Sequence, residues 1–203
     1  VAESAKTLAW KFAVGGLPFP AEVGEAEARR ALLVRFESVR GEFPGLELAP
    51  STADAISTWM IEQRSSPLED RRQSYLAARI KDQKLWYSTR AASNKRRASQ
   101  WRFTLVAVEV CGVVTALIAA LNQSFWSLSP TLAAIVVAVV AWTETKQFDF
   151  NARAYSAAIN DLVQAAEKLR LAVDESSWAR EVDDAEEAIS REHVVWWATR
   201  SRI

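Results

Sequence analysis

Few residues in this chain combine the types and spacings that chemistry requires. The single His, His193, lies in Ser190-Arg191-Glu192-His193 and is the one side chain suited to general acid-base work near neutral pH. On a helix Ser190, Glu192 and His193 do not share one face, so no Ser-His-acid triad follows. The expected role of His193 is a structural one, bridging cytoplasmic helices. Gly15-Gly16 precedes Pro18 rather than a helix and no GxxxxGK occurs, so there is no phosphate loop. One His and one Cys exclude a zinc finger, an HExxH protease and an internal disulfide. No catalytic residue, metal or cofactor is expected.

Two polar features remain, and both lie in or beside an apolar run. Glu109 sits six residues, or about 9 Å, inside Phe103 to Leu121, where a carboxylate without a partner is costly. Gly112, Ala116 and Ala120 follow on its face as a small-xxx-small series that permits close helix approach. That combination points to an oligomer interface or a water-lined path. The alternative is a Glu109 that is protonated, or that reaches Arg102, Arg97 or headgroup water. Cys111, in the same run, reads as a small apolar packing residue. The second feature is basic: from Gln83 to Arg102 there are six basic residues and no acidic one. Arg90, Lys95, Arg96, Arg97 and Arg102 are expected to meet anionic lipid headgroups, at about 1 kcal/mol each. Nucleic acid is the competing partner, but no docking motif accompanies the run, so none is expected.

The elements that must position these residues are helices. Six Gly and six Pro in 203 residues are about half the usual share of about 12%, so turns are few and elements long. Residues 2–14 place Ala5, Leu8, Ala9 and Phe12 on one helical face and stop at Gly15-Gly16. About Glu25 to Val39 is a second helix, with Leu32, Leu33, Phe36 and Val39 on one side. Ser51-Thr52-Ala53-Asp54 resembles a capping box opening a helix through Ile56, Trp59 and Met60. Ser66-Pro67-Leu68-Glu69 has the pattern of an N-cap Ser, Pro at the first helical position and Glu at the third. From Pro67 no Pro or Gly appears until Gly112, so the helix is expected to run about 50 residues, roughly 75 Å, into the apolar run.

Phe103 to Leu121 is 19 residues long with only Thr104, Glu109 and Thr115 polar. As a helix of about 28 Å it matches a hydrocarbon core of about 30 Å. Asn122-Gln123-Ser124 is a polar break, and Phe125 to Thr143 is a second stretch of 19 residues, strictly apolar only from Leu132 to Trp142. Trp101, Trp126 and Trp142 fall at the ends, where indoles prefer the headgroup level. The uncharged connection from Asn122 to Thr131 against the basic run before Phe103 places both ends of the chain in the cytoplasm by the positive-inside rule. The competing arrangement is a soluble bundle that buries the same hairpin, but a helix apolar all round needs several amphipathic partners, and the chain offers few. The expected fold is therefore all-α: a two-helix transmembrane hairpin with long cytoplasmic helical extensions forming a bundle. Residues 1–50 read as the end of an upstream domain and 51–203 as a helical domain with spans at about 103–121 and 125–143. From the opening Val1 and a start already helical in character, the chain is expected to be a segment of a longer protein.

After Thr143 the stripe Phe148, Tyr155, Ile159, Leu162, Ala166, Leu169 and Val173 is expected to pack against the basic helix. Asp174 to Ser177 reads as a turn and Trp178 to Arg200 as a last helix. Residues 174–192 hold eight acidic and two basic side chains, and residues 79–102 eight basic and one acidic. Pairing between these segments, in competition with headgroups, would make a docked-to-membrane switch, sensitive to salt and to replacing Glu186 and Glu187 by Lys.

Arg79-Ile80-Lys81-Asp82-Gln83-Lys84-Leu85-Trp86-Tyr87, then Asn94, a two-span hairpin, Tyr155, and Ala188-Ile189-Ser190-Arg191-Glu192-His193-Val194-Val195-Trp196 form a pattern that resembles the SLATT family. These are bacterial two-transmembrane effector domains associated with nucleotide-synthesising and nucleotide-sensing partners. The likeness covers about residues 65–200. Glu3 to Lys11, with Gly15-Gly16 and Pro18-Phe19, is similar to a segment that follows an upstream membrane hairpin in longer relatives, which implies two further spans before it. The resemblance implies a non-enzymatic inner-membrane effector in nucleotide-signalled anti-phage or conflict defence, one that oligomerises and forms a pore or perturbs the membrane. It supplies no catalytic residues. Asp82, Gln83, Trp86, Tyr87, Arg191, Glu192 and His193, at the matching positions, read as contacts among cytoplasmic helices. Two other functions stay open: a membrane-anchored scaffold that binds a cytoplasmic signalling protein without conducting ions, and a membrane-bound hydrolase dependent on His193.

Overall fold

The computed structural model describes the backbone of residues 2–42, 54–121 and 129–200, and the side chains of 3–42, 54–121 and 130–190. Every regular element among them is helical: α1 (Ala2–Val14), α2 (Glu25–Gly41), α3 (Thr58–Ser65), α4 (Leu68–Ser74), a π-helical turn (Tyr75–Ile80), α5 (Lys81–Leu121), α6 (Ser129–Lys146), α7 (Phe148–Leu171) and α8 (Glu175–Arg200). The all-α expectation holds. The break at Asn122-Gln123-Ser124, the start of the second apolar stretch with Trp126, and the Ser51-Thr52-Ala53 part of the expected capping box lie outside the described residues. The chain forms two compact units, residues 1–85 with 158–203, and residues 86–157.

In the first unit α1 ends where its glycines direct. Gly15 takes φ +77, which an L side chain resists, and the Gly16 and Gly15 amides donate to Lys11 O (2.8 Å) and Phe12 O (3.4 Å) as a Schellman cap. Its apolar face buries Phe12 and Ala13 with Phe19, Ala28, Leu32 and Met60. On α2 the buried stripe is Ala28 and Leu32, with Phe36 partly covered, whereas Leu33, expected on it, is turned out and 42% exposed. Leu33 lies about 100° around the helix from Leu32 and so leaves the i, i+4 row.

Three expected helix starts move. The capping box at Ser51 to Asp54 does not open α3. Its N-cap is Ser57, whose hydroxyl accepts the Met60 amide at 3.4 Å. Ser66 does not cap α4 either, because its hydroxyl donates backwards to Glu62 O at 2.9 Å. Pro67, in an extended conformation, holds the cap position, and its carbonyl accepts the Arg71 amide. α8 begins at Glu175 rather than Trp178. The turn expected there is a reciprocal cap: Asp174 Oδ1 accepts the Ser177 amide at 2.7 Å and Ser177 Oγ accepts the Asp174 amide at 3.2 Å. The Ser177 amide, with the Ser177 and Ser176 side chains, holds the exposed Asp174 carboxyl below the usual carboxylate range.

From Leu68 to Leu121 the chain is one 54-residue helix, as the absence of Pro and Gly predicts. Its π-helical turn, which periodicity did not foresee, brings Tyr75, Arg79 and Ile80 all inward. On α7 the stripe buries Leu162, Ala166 and Leu169, then passes to Ala172. Val173, expected on the stripe, is 86% exposed because the helix has ended at Leu171.

Candidate functional site

In the second unit, α5 carries an apolar surface that the described residues leave uncovered. Leu68–Leu121 is the one helix, among the described residues, that is long and apolar enough to cross a membrane, and none of its apolar window is buried. Phe103, Val106, Val110, Val113, Val114, Leu117, Ile118 and Leu121 are all exposed. Left in water, these side chains would forgo on the order of 10 kcal/mol of burial. On α6, Ile135, Val137 and Val140 are exposed as well.

Glu109, Ala116 and Ala120 lie on the open side of α5, and Gly112 is half-buried. Glu109 has no ion-pair partner among the described residues. Arg102, one partner considered for it, pairs instead with Asp149 at 3.0 Å. Cys111 is exposed rather than packed within the chain. Arg90, Lys95, Arg96, Arg97 and Arg102 are all exposed, in keeping with a charged entry to the apolar run. Arg90 lies over the Trp86 ring at 5.3 Å.

Of the residues expected to join cytoplasmic helices, Trp86 and Tyr87 both meet Tyr155 of α7. Trp86 does so edge-on at 5.6 Å, and Tyr87, fully buried, stacks on it at 6.0 Å. Gln83 is buried, while Asp82 is exposed and lies 4.0 Å from Lys6. Arg191, Glu192 and His193 fall on α8, beyond the described side chains.

A buried polar centre in the first unit was missed by sequence reasoning. Glu186 of α8 is fully buried, and its four acceptor positions are all used. Oε1 accepts from Tyr75 OH (3.0 Å) and Arg79 Nε (2.9 Å). Oε2 accepts from Arg79 Nη2 (2.7 Å) and Thr7 Oγ1 (2.8 Å). Burial opposes the Arg79 charge, but the bonds and charge of Glu186, with Glu3 at 2.9 Å, outweigh it and hold the guanidinium protonated. Burial and the Glu186 charge push the Tyr75 hydroxyl well above the usual tyrosine range. With every acceptor occupied and no solvent access, this centre joins α1, the π-helical turn and α8 and has no means of turning over a substrate. Its signal in the sequence was Glu186 on the same α8 face as Trp178, Val182, Ala185 and Ile189, all of them buried.

The expected pairing of acidic and basic segments takes a different form. Arg79–Glu186 is a cross-segment pair, but it is sealed in the core and not open to exchange with headgroups. Glu175 and Asp183 turn to Arg71 and Lys11, outside the basic segment. Two further arginines close the end of α1. Arg64 donates to Phe12 O (3.1 Å), Phe19 O (2.7 Å), Pro20 O (2.8 Å) and Val23 O (3.0 Å), and Arg71 donates to Val14 O (2.8 Å). Burial, with the charge of Arg71, lowers the Arg64 pKa. At Phe12 and Val14 they supply donors to helix-end carbonyls, and at Phe19, Pro20 and Val23 Arg64 does the same for the connection to α2.

Comparison with known proteins joins these observations. The family described as SMODS and SLOG-associating 2TM effector domain 1 matches residues 75–196, and SMODS and SLOG-associating 2TM effector domain 3 matches residues 1–72. No curated protein and no solved structure matches the chain. The first match begins at Tyr75, the first residue of the π-helical turn, and takes in the apolar run, the aromatic cluster at Tyr155 and the Glu186 helix. An uncovered apolar helix joined to a helical unit with a polar core fits a membrane-associated domain, and the chain belongs to the SLATT family of two-transmembrane effector domains associated with defence systems.

Proposed function

We propose that the chain is an inner-membrane effector whose α5 and α6 cross the bilayer as a hairpin with both ends cytoplasmic, and whose copies associate through these helices to open a pore or otherwise breach the membrane. The observation that carries the reading is the uncovered apolar surface of α5, entered through Arg96, Arg97 and Arg102. Lipid accounts for such a surface, and a second copy accounts for the small residues Ala116 and Ala120 beside the unpartnered Glu109. Arg102–Asp149 ties the base of α5 to the start of α7, and Trp101 of α5 and Trp142 of α6 line one cavity, in keeping with a hairpin that enters at the headgroup level. α5 and α7 both run from one compact unit into the other, so a nucleotide-signalling partner bound to the first unit has a covalent, helical route to the spans.

The test is leakage of dye from liposomes reconstituted with the full chain, together with its mass in detergent. An oligomer that releases dye is expected. Exchanging 103–143 for an unrelated two-span anchor abolishes release if the hairpin is the effector, and leaves partner-dependent function intact if the protein is an anchored scaffold. Glu109→Gln is expected to reduce cation preference in single-channel recordings, and unchanged selectivity removes Glu109 from the path.

A further inference from the structure

Two open-sided cavities in the second unit share the rings of Trp101 and Trp142. One, about 420 Å³, is lined in addition by Arg97, Gln100, Thr104 and Phe148. The other, about 300 Å³, adds only Ile135, Ala138 and Val139. The second is about twice the roughly 150 Å³ that suffices to hold a benzene ring in a protein interior.

Their order along the helices is that of an amphiphile. Arg97 and Gln100 precede the apolar run of α5, whereas Val139, Ala138 and Ile135 lie progressively deeper on α6, down to about 10 Å below Trp142 at 1.5 Å per residue. Charge is arranged to match. Arg97 has no ion-pair partner among the described residues, and Lys146 adds a second cation over the Trp142 ring at 4.6 Å. Asp149, next to the lining residue Phe148, is taken up by Arg102. The Thr104 hydroxyl gives its proton to Gln100 O at 3.0 Å. The Gln100 amide and the Arg97 guanidinium are then donors of the polar compartment, beside the indoles of Trp101 and Trp142, and no carboxylate is among its lining residues.

We propose that the paired cavities hold one anionic phospholipid, with its phosphate against Arg97 and Gln100 and one acyl chain along Ile135, Ala138 and Val139 between the two indoles. The inference rests on the bilayer placement of α5 and α6 but not on pore opening. It differs from general attraction of the basic run to the membrane surface, because it predicts one molecule per chain and a dependence on groove shape. A lipid wedged between the two helices would also set their spacing at the headgroup level.

The experiment is native mass spectrometry of the full chain extracted in mild detergent and supplied with equal amounts of phosphatidylglycerol and phosphatidylethanolamine. One retained phosphatidylglycerol per chain is expected. Arg97→Ala is expected to lower its retention about tenfold, the loss of one charge-assisted contact. Ala138→Trp, which fills the apolar groove at an exposed position, is expected to abolish retention, and Arg40→Ala, at an exposed position of α2, to leave it unchanged. Equal retention in Arg97→Ala and Ala138→Trp overturns the proposal. Binding of inorganic phosphate that depends on Arg97 and is indifferent to Ala138→Trp also overturns it, in favour of a soluble ligand. A readout without a groove variant is quenching by phosphatidylglycerol with a brominated chain, which should remove the part of the fluorescence that Trp142→Phe removes. No quenching of that part counts against the site. Recovery of the chain in a detergent-free supernatant would instead defeat the bilayer placement itself.

Discussion

Removing Glu186 tests whether the polar centre of the first unit holds that unit together. Glu186→Ala leaves the Arg79 guanidinium in a site only 1% exposed, with the Tyr75 and Thr7 hydroxyls deprived of their acceptor. Arg79 does not escape by releasing its proton, because a guanidinium stays protonated in proteins, and the partly exposed Glu3 is the one carboxylate left beside it among the described residues. Breaking such a pair by removing one partner costs about 3–5 kcal/mol. For a unit of this size that corresponds to a fall in Tm of about 10 °C or more. Removing both charges, as Arg79→Met with Glu186→Leu, is expected to cost less than Glu186→Ala alone, because no fully buried charge is then left and the partly exposed Glu3 can turn to water. Thermal unfolding of the full chain in detergent, followed by near-UV circular dichroism, measures both. A shift under about 3 °C in Glu186→Ala, or a double variant that loses the sum of the single losses, would refute the reasoning.

Gly16→Ala places a methyl against the buried Val182 side chain and is expected to cost about 1–3 kcal/mol, while Gly24→Ala, with nothing within 4 Å, serves as its neutral counterpart in the same melts. The depressed Asp174 carboxyl stabilises the start of α8 above its unfolded pKa of about 3.9, and that contribution is lost as pH falls through the folded value. Asp174→Asn should keep the cap but flatten the dependence of Tm on pH below about 4. Arg64→Met removes the donor to one carbonyl in the last turn of α1 and three beyond it, each bond being worth about 1 kcal/mol or more when made by a charged group, so Tm should fall by several degrees. An unchanged Tm would mean that water replaces the guanidinium.

The helices and the apolar run were readable because they depend on residues a few positions apart. Gly15-Gly16 ended α1, and the stretch from Pro67 without Pro or Gly became a single helix. The errors came where two local signals competed. Ser66 had the residue type of a cap, but Pro67 took the position, and at α8 the side chains of Asp174 and Ser177 formed a cap that had read as a turn. Leu33 and Val173 were expected on buried stripes, and one lies off the stripe while the other, at the right step, lies past the end of its helix. The π-helical turn has no periodic signature at all, since its wider winding depends on tertiary partners for Tyr75 and Arg79.

By itself the sequence determined the all-α class, the apolar run, its basic approach and the resemblance to SLATT domains, because propensity, hydropathy and charge reside in short windows. Tertiary structure decided which charges are buried. Arg79 and Glu186 stand 107 positions apart, and no window joins them. Only packing α8 against the π-helical turn removes both from water, and at that distance in the chain a charge is settled by what surrounds it in space.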